Sequence, residues 1–308
     1  MHFLPPFLEH YRKMGVERFI FVDDRSTDGT LEFLCKQNDV MVVQSKLKYG
    51  DKIPLEDAAA LGLTHQRLEL LWRMLLLEKY TIGQWSLHLD ADEFLDLPSG
   101  MLVSDFVAQL GTEDGDAVWS TMIDMYPATL AELEKMENDT TIDLSKPWYF
   151  DGEPHLKLRK DKTPKVVFPG CRARLLAKFH LNRKTKPLNE TVRRILRLPP
   201  SRYNAIRKPT LLRWSSGSRF NSAHTVNLSA TVKFLLPLRH FKFNGPIHER
   251  IHRASTTGGN TGEGAEYKDL KLLLAAMART DGEFRYSKSV QFTGFEDFQK
   301  TGNAVGFN

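Results

Sequence analysis

Phe19-Ile20-Phe21-Val22-Asp23-Asp24-Arg25-Ser26-Thr27-Asp28-Gly29-Thr30 reads as a buried strand, an acidic turn and the start of a helix. The apolar run is short and bounded by turn residues, as a buried strand is. Thr27 or Asp28 suits the cap of the helix, because a short side-chain oxygen there accepts from a free backbone N–H. Capping explains Asp28, but it leaves two acids, Asp23 and Asp24, directly after the strand. A carboxylate in that place accepts hydrogen bonds from a base N–H or a ribose hydroxyl.

Outward from this stretch, helix and strand alternate. Leu4, Phe7, Leu8, Tyr11 and Met14 recur at helical spacing, and Gly15 suits the left-handed conformation that ends a helix. Further helices are expected over 31–35 and 62–80, with strands over 40–43, 85–89 and 117–125. This order predicts an α/β fold, a mostly parallel Rossmann-like sheet with helices on both faces. Beyond residue 130 the pattern is less regular. Pro164, Pro169, Pro199, Pro200 and Pro209 interrupt it before a strand and turn over 232–243 and an amphipathic helix over 267–277.

The chain has 308 residues, ordinary apolar and charged fractions of 41% and 26%, and no apolar run near the roughly 20 residues that span a bilayer. Met1 leads straight into an amphipathic pattern, so no secretory leader is expected. Two cysteines, Cys35 and Cys171, are too few for a disulfide framework and fit a reducing compartment. A cytoplasmic protein is expected, free or peripheral to the inner face of a membrane. The net charge of +5 is uneven. Residues 183–213 hold ten basic side chains and one acid, so this stretch sums to +9 and the remainder to −4. Such a stretch is either a site for an anionic partner or a solvated face. With only Tyr203 and Trp214 nearby it matches no nucleic-acid module, and no nucleic acid is expected.

The sharpest chemical signal is Leu87-His88-Leu89-Asp90-Ala91-Asp92-Glu93-Phe94, an apolar strand running into an Asp-x-Asp pair. Ligands of open α/β sheets bind outside the carboxyl ends of strands. Two carboxylates there can hold a hard divalent cation that also grips a diphosphate. The plain alternative is an acidic turn that caps the next helix. His240 is the first candidate for a further metal ligand and His224 the second; His248 and His252, four apart, would share a helix face. Asp124, near a strand end, and Glu93, next to the pair, are the candidate general bases. Arg172 and Arg174 suit a diphosphate, or are surface strand residues.

The run Asp23-Asp24-Arg25-Ser26-Thr27-Asp28-Gly29-Thr30 resembles the Asp-Asp-x-Ser-x-Asp-x-Thr signature of family 2 glycosyltransferases. Leu4-Pro5-Pro6-Phe7-Leu8-Glu9-His10-Tyr11 resembles the opening helix of their bacterial family 2-like subgroup, and Trp85 to Leu95 its metal-binding strand. Asp124-Met125-Tyr126-Pro127, Gly170 to Leu175, Lys208-Pro209 with Leu212-Arg213-Trp214, and Leu238 to Phe243 follow in the same order. The resemblance implies a GT-A fold and transfer of a sugar from a nucleotide-sugar donor to a glycan or lipid-linked acceptor. It implies a nucleotide-sugar-binding half over 1–130 and an acceptor-side and C-terminal part over 131–308 of one domain. By the same resemblance Asp90, Asp92 and His240 hold manganese or magnesium, and Asp23, Asp24, Asp90, Arg172 and Arg174 contact the donor. Members of the group usually open with an apolar strand ending in Arg-Asn-Glu; here the helix begins at Leu4, so a sheet lacking that strand is expected.

Overall fold

A five-stranded mixed sheet positions the chemistry of this chain. The computed structural model describes residues 1–63, 66–160, 163–181, 206–256 and 263–307. In chain order come α1 (Leu4–Lys13), β1 (Phe19–Asp23), α2 (Thr30–Cys35), β2 (Val40–Gln44), α3 (Leu55–Ala60), α4 (Leu68–Tyr80), β3 (Trp85–Leu87), β4 (Glu93–Leu95), α5 (Val103–Val107) and β5 (Ala117–Asp124). Then follow α6 (Leu130–Lys135), β6 (Tyr149–Asp151), β7 (Leu156–Lys157), β8 (Lys165–Val166), α7 (Gly170–Lys178), β9 (Arg207–Arg213), β10 (Phe220–Ser222), β11 (Thr225–Val226), β12 (Ala230–His240), α8 (Ile247–Thr256), α9 (Glu263–Met277), β13 (Ser289–Gln291) and α10 (Phe295–Lys300). The expected mixture of helices and strands is present, with boundaries moved. The helix expected over 62–80 is α4 and starts only at Leu68, while a short helix not expected, α3, ends before Gly62, which has φ +66°.

The sheet order is β3-β9-β5-β12-β4. Only β5 and β12 pair in parallel; β3–β9, β9–β5 and β12–β4 are antiparallel. The mostly parallel arrangement expected from the sequence is therefore a mixed one in this sheet. Two strands make the difference. β9 lies in the proline-punctuated basic stretch, where no strand pattern stands out. β4 follows an Asp90-Ala91-Asp92 turn that reverses the chain, so the strand expected over 85–89 is shortened to β3 and a second, unexpected strand comes after the acids. Proline in an inner strand removes a ladder hydrogen bond. The sheet absorbs Pro209 at an irregularity, where the β5–β9 register shifts between Val118 and Trp119. β1 and β2 form a separate parallel two-stranded sheet.

α1 buries Leu4, Phe7, Leu8 and Tyr11 against Phe94 and its neighbours, the face that the helical spacing assigns to the core. Phe94 meets Phe241 edge to face at 5.4 Å, and Trp148 meets the same ring at 4.8 Å. β4 is an edge strand with backbone groups to satisfy. The buried Tyr11 hydroxyl does so, donating to the Glu93 carbonyl at 3.0 Å and accepting from the Leu95 N–H at 2.8 Å. One side chain of α1 thus fixes the strand that begins with Glu93. A second cluster, around Tyr126, Phe243, Ile247, Leu273 and Phe284, packs α7, α8 and α9 together.

Candidate functional site

Strand directions gather the acids on one edge of the sheet. β3 and β5 are both antiparallel to β9, so they run the same way, and β12 runs with them. Their carboxyl ends lead into Asp90, Asp124 and His240, while β4 and β9 begin at that edge with Glu93 and with Arg207-Lys208. His240 is in register with Asp124 on one side and Glu93 on the other. The turn between β3 and β4 folds over the end of β12, where the Asp92 carbonyl accepts from the Phe241 N–H at 3.0 Å.

The side chains at this edge form a nearly continuous ionic network. His240 Nδ1 lies 2.8 Å from Asp124 Oδ1, and Asp124 Oδ2 accepts from Arg172 Nε at 2.8 Å. Arg172 also pairs with Glu266, which lies 3.4 Å from Lys242. His240 Nε2 faces Asp92 Oδ2 at 3.9 Å, and Arg250 from α8 reaches the same oxygen at 3.2 Å. Asp90 takes Arg73 of α4 on one oxygen and Lys208 on the other, the latter at 3.0 Å. Lys208 also reaches Glu93 Oε2 at 2.5 Å, and that oxygen accepts from the Asp90 N–H at 2.8 Å.

Burial opposes ionisation of every acid here, and the cations decide the outcome. Arg73 and Lys208 hold Asp90 well below the usual carboxylate range. His240 and Arg250 lower Asp92, and Arg172 with His240 holds Asp124 far down. Glu93 goes the other way: burial pushes it up to about 7 against the pull of Lys208. His88 is buried against Phe220, ring centroids 4.7 Å apart, and neither ring nitrogen has a hydrogen-bond partner among the described residues. Burial, then Arg73 and Lys208, push it well below 6.5. His224 falls to about 4 through burial and Lys208, and its Nδ1 rests 3.1 Å from the Arg207 carbonyl oxygen.

Of the residues singled out from the sequence, Asp90, Asp92, Glu93, Asp124, Arg172 and His240 meet in this network. Arg172 and Arg174 lie on helix α7, not on the strand weighed for them. Arg174 turns to another network, with Asp151 at 2.8 Å and the Tyr286 ring at 4.2 Å. Asp23 is buried and accepts from the N–H groups of Arg25 and Ser26, at 3.2 and 3.3 Å, bracing Arg25 in a left-handed conformation. Asp24 accepts from the Tyr49 N–H at 2.8 Å. His248 and His252 do share helix α8, as their spacing allows, but Arg250 is its residue that reaches Asp92. Of the basic stretch, Arg183 to Arg202 lie outside the described residues. Its described end is spent inside the protein: Lys208 is fully buried, and Arg213 pairs with Asp116 at 2.7 Å.

Arg73, Lys208, Arg250 and Glu266 escaped the sequence reading as site residues. Lys208 sits in a motif already picked out, but nothing local in Lys-Pro tells of two carboxylates more than a hundred residues earlier. Among the described residues no group of three or more His, Cys, Asp or Glu is placed to hold a metal. The donor chemistry fits in part. Asp92 and His240 offer one oxygen and one nitrogen facing each other, and the imidazole is oriented through its other nitrogen by Asp124, as metal-binding histidines commonly are. Asp90 does not fit, since both its oxygens are already paired with cations. No helix among the described residues is long and apolar enough to cross a membrane. Comparison with protein-family models, with curated proteins and with solved structures finds no match to this chain.

Proposed function

We propose that this chain is an inverting glycosyltransferase of the GT-A type, moving a sugar from a nucleoside diphosphate donor to a glycan or lipid-linked acceptor in polysaccharide synthesis. The observation that supports it most is the convergence of Asp90, Asp92, Asp124 and His240 on the edge to which β3, β5 and β12 point. His240 is anchored on Asp124 and aimed at Asp92. A divalent cation, manganese or magnesium, held by Asp92 and His240 would supply charge for the leaving diphosphate. A hard cation fills its remaining positions with diphosphate oxygens and water, so two protein ligands suffice.

The chain's own residues do the rest. Asp124 positions His240. Arg250, with one buried nitrogen lacking a partner among the described residues, adds a guanidinium beside Asp92. Asp23 and Asp24 serve the nucleoside. Of the two candidate bases, Glu93 has the proton affinity that suits the task at neutral pH, but it is buried and bound to Lys208, so an acceptor would reach it only past Asp90. Asp90, whose side chain is 42% exposed, is the member of the Glu93–Lys208–Asp90 group that faces substrate. The seven basic residues between Arg183 and Arg202 would hold the protein at an anionic, lipid-linked acceptor.

A second reading, a catalytically silent protein of this fold that binds a glycan, a lipid head group or a protein, is favoured by one observation. Each acid of the Asp-x-Asp pair is already neutralised by cations of the chain. A screen of nucleotide-sugars for hydrolysis, with and without manganese, separates the two. Manganese-stimulated release of a nucleoside diphosphate is expected. Glycan binding with no turnover of any donor would favour the second reading.

A further inference from the structure

We propose that Lys208 is a tethered cation of this site: its ammonium stays between Asp90 and Glu93 and does there what a divalent ion would do, so that a bound metal takes Asp92 and His240 but not Asp90. The inference deepens the transferase reading and, for its role toward a donor diphosphate, rests on it.

The geometry leads there directly. Lys208 is fully buried, and its Nζ stands 3.0 Å from Asp90 and 2.5 Å from Glu93. Its side chain has no solvent-exposed surface, so the ammonium cannot leave these two acids for water while the fold is intact. Arg73 occupies the other oxygen of Asp90. A metal at Asp90 would have to displace one of these cations into the interior, and an unpaired buried charge is strongly unfavourable. The neighbouring rings of His88 and His224 feel the same positive field, since Lys208 disfavours the protonated form of each. A second cation carrying two charges would enter against that field.

The tethered charge has a chemical use. Lys208 and Arg73 together balance the charges of Asp90 and Glu93, so this corner of the edge needs no ion from solution. A diphosphate arriving there would meet one exchangeable cation, at Asp92 and His240, beside acids whose charge the chain itself has balanced.

Manganese alone is the probe, counted by electron paramagnetic resonance of the free ion. Asp90→Asn is expected to leave the manganese affinity of the protein within about twofold of wild type, a change under one factor of ten in the equilibrium constant. A loss of about tenfold or more in that variant would show Asp90 to be a metal ligand and overturn the inference. In Lys208→Met, Glu93 and one oxygen of Asp90 are freed, and manganese affinity is expected to rise by about tenfold or more as that charge becomes available. A folded Lys208→Met that binds manganese no better than wild type also counts against the tethered cation. Should that variant fail to fold, the Asp90→Asn comparison decides alone. Both readouts use the metal without nucleotide, so failure to bind or turn over any nucleotide-sugar would count against the transferase reading and leave this result standing.

Discussion

His240 and Asp124 end two parallel strands side by side, and the imidazole Nδ1 lies 2.8 Å from the carboxylate. With Nδ1–H donating to Asp124, Nε2 is left to face Asp92 at 3.9 Å. The same carboxylate neutralises Arg172, so Asp124 has both a structural and an orienting duty. Asp124→Asn is expected to lower stability by roughly 3 kcal/mol or more, the scale for breaking a buried ion pair. Its folded-state carboxyl lies far below 3.8, so this stabilisation is present above that pH and is lost as pH falls through the acid range. Urea unfolding of both proteins at pH 7 and pH 2.5 checks the sign: the gap between them should narrow at the lower pH, which lies below the unfolded value of 3.8.

Asp92 should matter for ligand more than for fold, since one of its partners, Arg250, is only part-buried. Asp92→Asn is expected to weaken manganese-dependent binding of a nucleoside diphosphate by about tenfold, or about 1.4 kcal/mol. Calorimetry with manganese present reads this, and unchanged affinity would remove Asp92 from the proposed site.

His88 offers a test of cost. A buried imidazole without hydrogen-bond partners carries a desolvation penalty of about 1–3 kcal/mol. His88→Phe keeps a ring against Phe220 and drops the two nitrogens. The expected gain is about 1 kcal/mol, or about 2 °C in melting temperature for a chain of this size. The His88 folded-state value is depressed below 6.5, so the unfolded chain takes up the proton first and stability falls as pH drops through 6.5. The advantage of the phenylalanine variant should therefore be larger at pH 5 than at pH 8. A melting temperature lowered at both would show that His88 has a structural partner.

The basic residues from Arg183 to Arg202 are expected to bind anionic vesicles at low salt. Four engaged side chains at about 1 kcal/mol each would suffice. Binding should be released as salt rises, because the screening length falls to about 3 Å at 1 M. Replacing Arg193, Arg194 and Arg197 by Gln should reduce co-sedimentation with anionic vesicles; equal partitioning onto neutral and anionic vesicles would end the membrane proposal.

Local patterns made half of this molecule legible. The apolar periodicity of α1, the strand before Asp23-Asp24 and the long β5 and β12 all announce themselves within a dozen residues. The acids of the site were visible for the same reason, since they follow apolar runs. Their partners were not. Arg73 lies mid-helix and Lys208 sits next to a proline, and each is ordinary in its own window. Only the pairing of β9 between β3 and β5 brings Lys208 to Asp90, and register between distant strands leaves no mark on either one. The mixed character of the sheet was hidden in the same place, because Pro209 argues locally against the strand that contains it.

The irregularity at Pro209 also makes this protein sensitive to counting. On the Arg213 side of the shift, Leu211 and Leu212 pair with Val118 and Ala117; on the other side, Lys208 pairs with Ser120, with one residue more on β9 than on β5. Side chains alternate between the faces of a strand, so a one-residue slip exchanges every position with its neighbour. Deleting Thr210 would only remove the extra residue, leaving Lys208 opposite Ser120 and Leu211 opposite Val118, each on the face it already has. One residue added between Lys208 and Pro209 would keep the charge and nearly all the apolar content of the chain, yet it would turn Lys208 to the opposite face, away from Asp90 and Glu93. The ionic edge thus has slack on one side of the irregularity and none on the other: a lost residue can be absorbed at Thr210, whereas a gained one next to Lys208 rewrites the site at once.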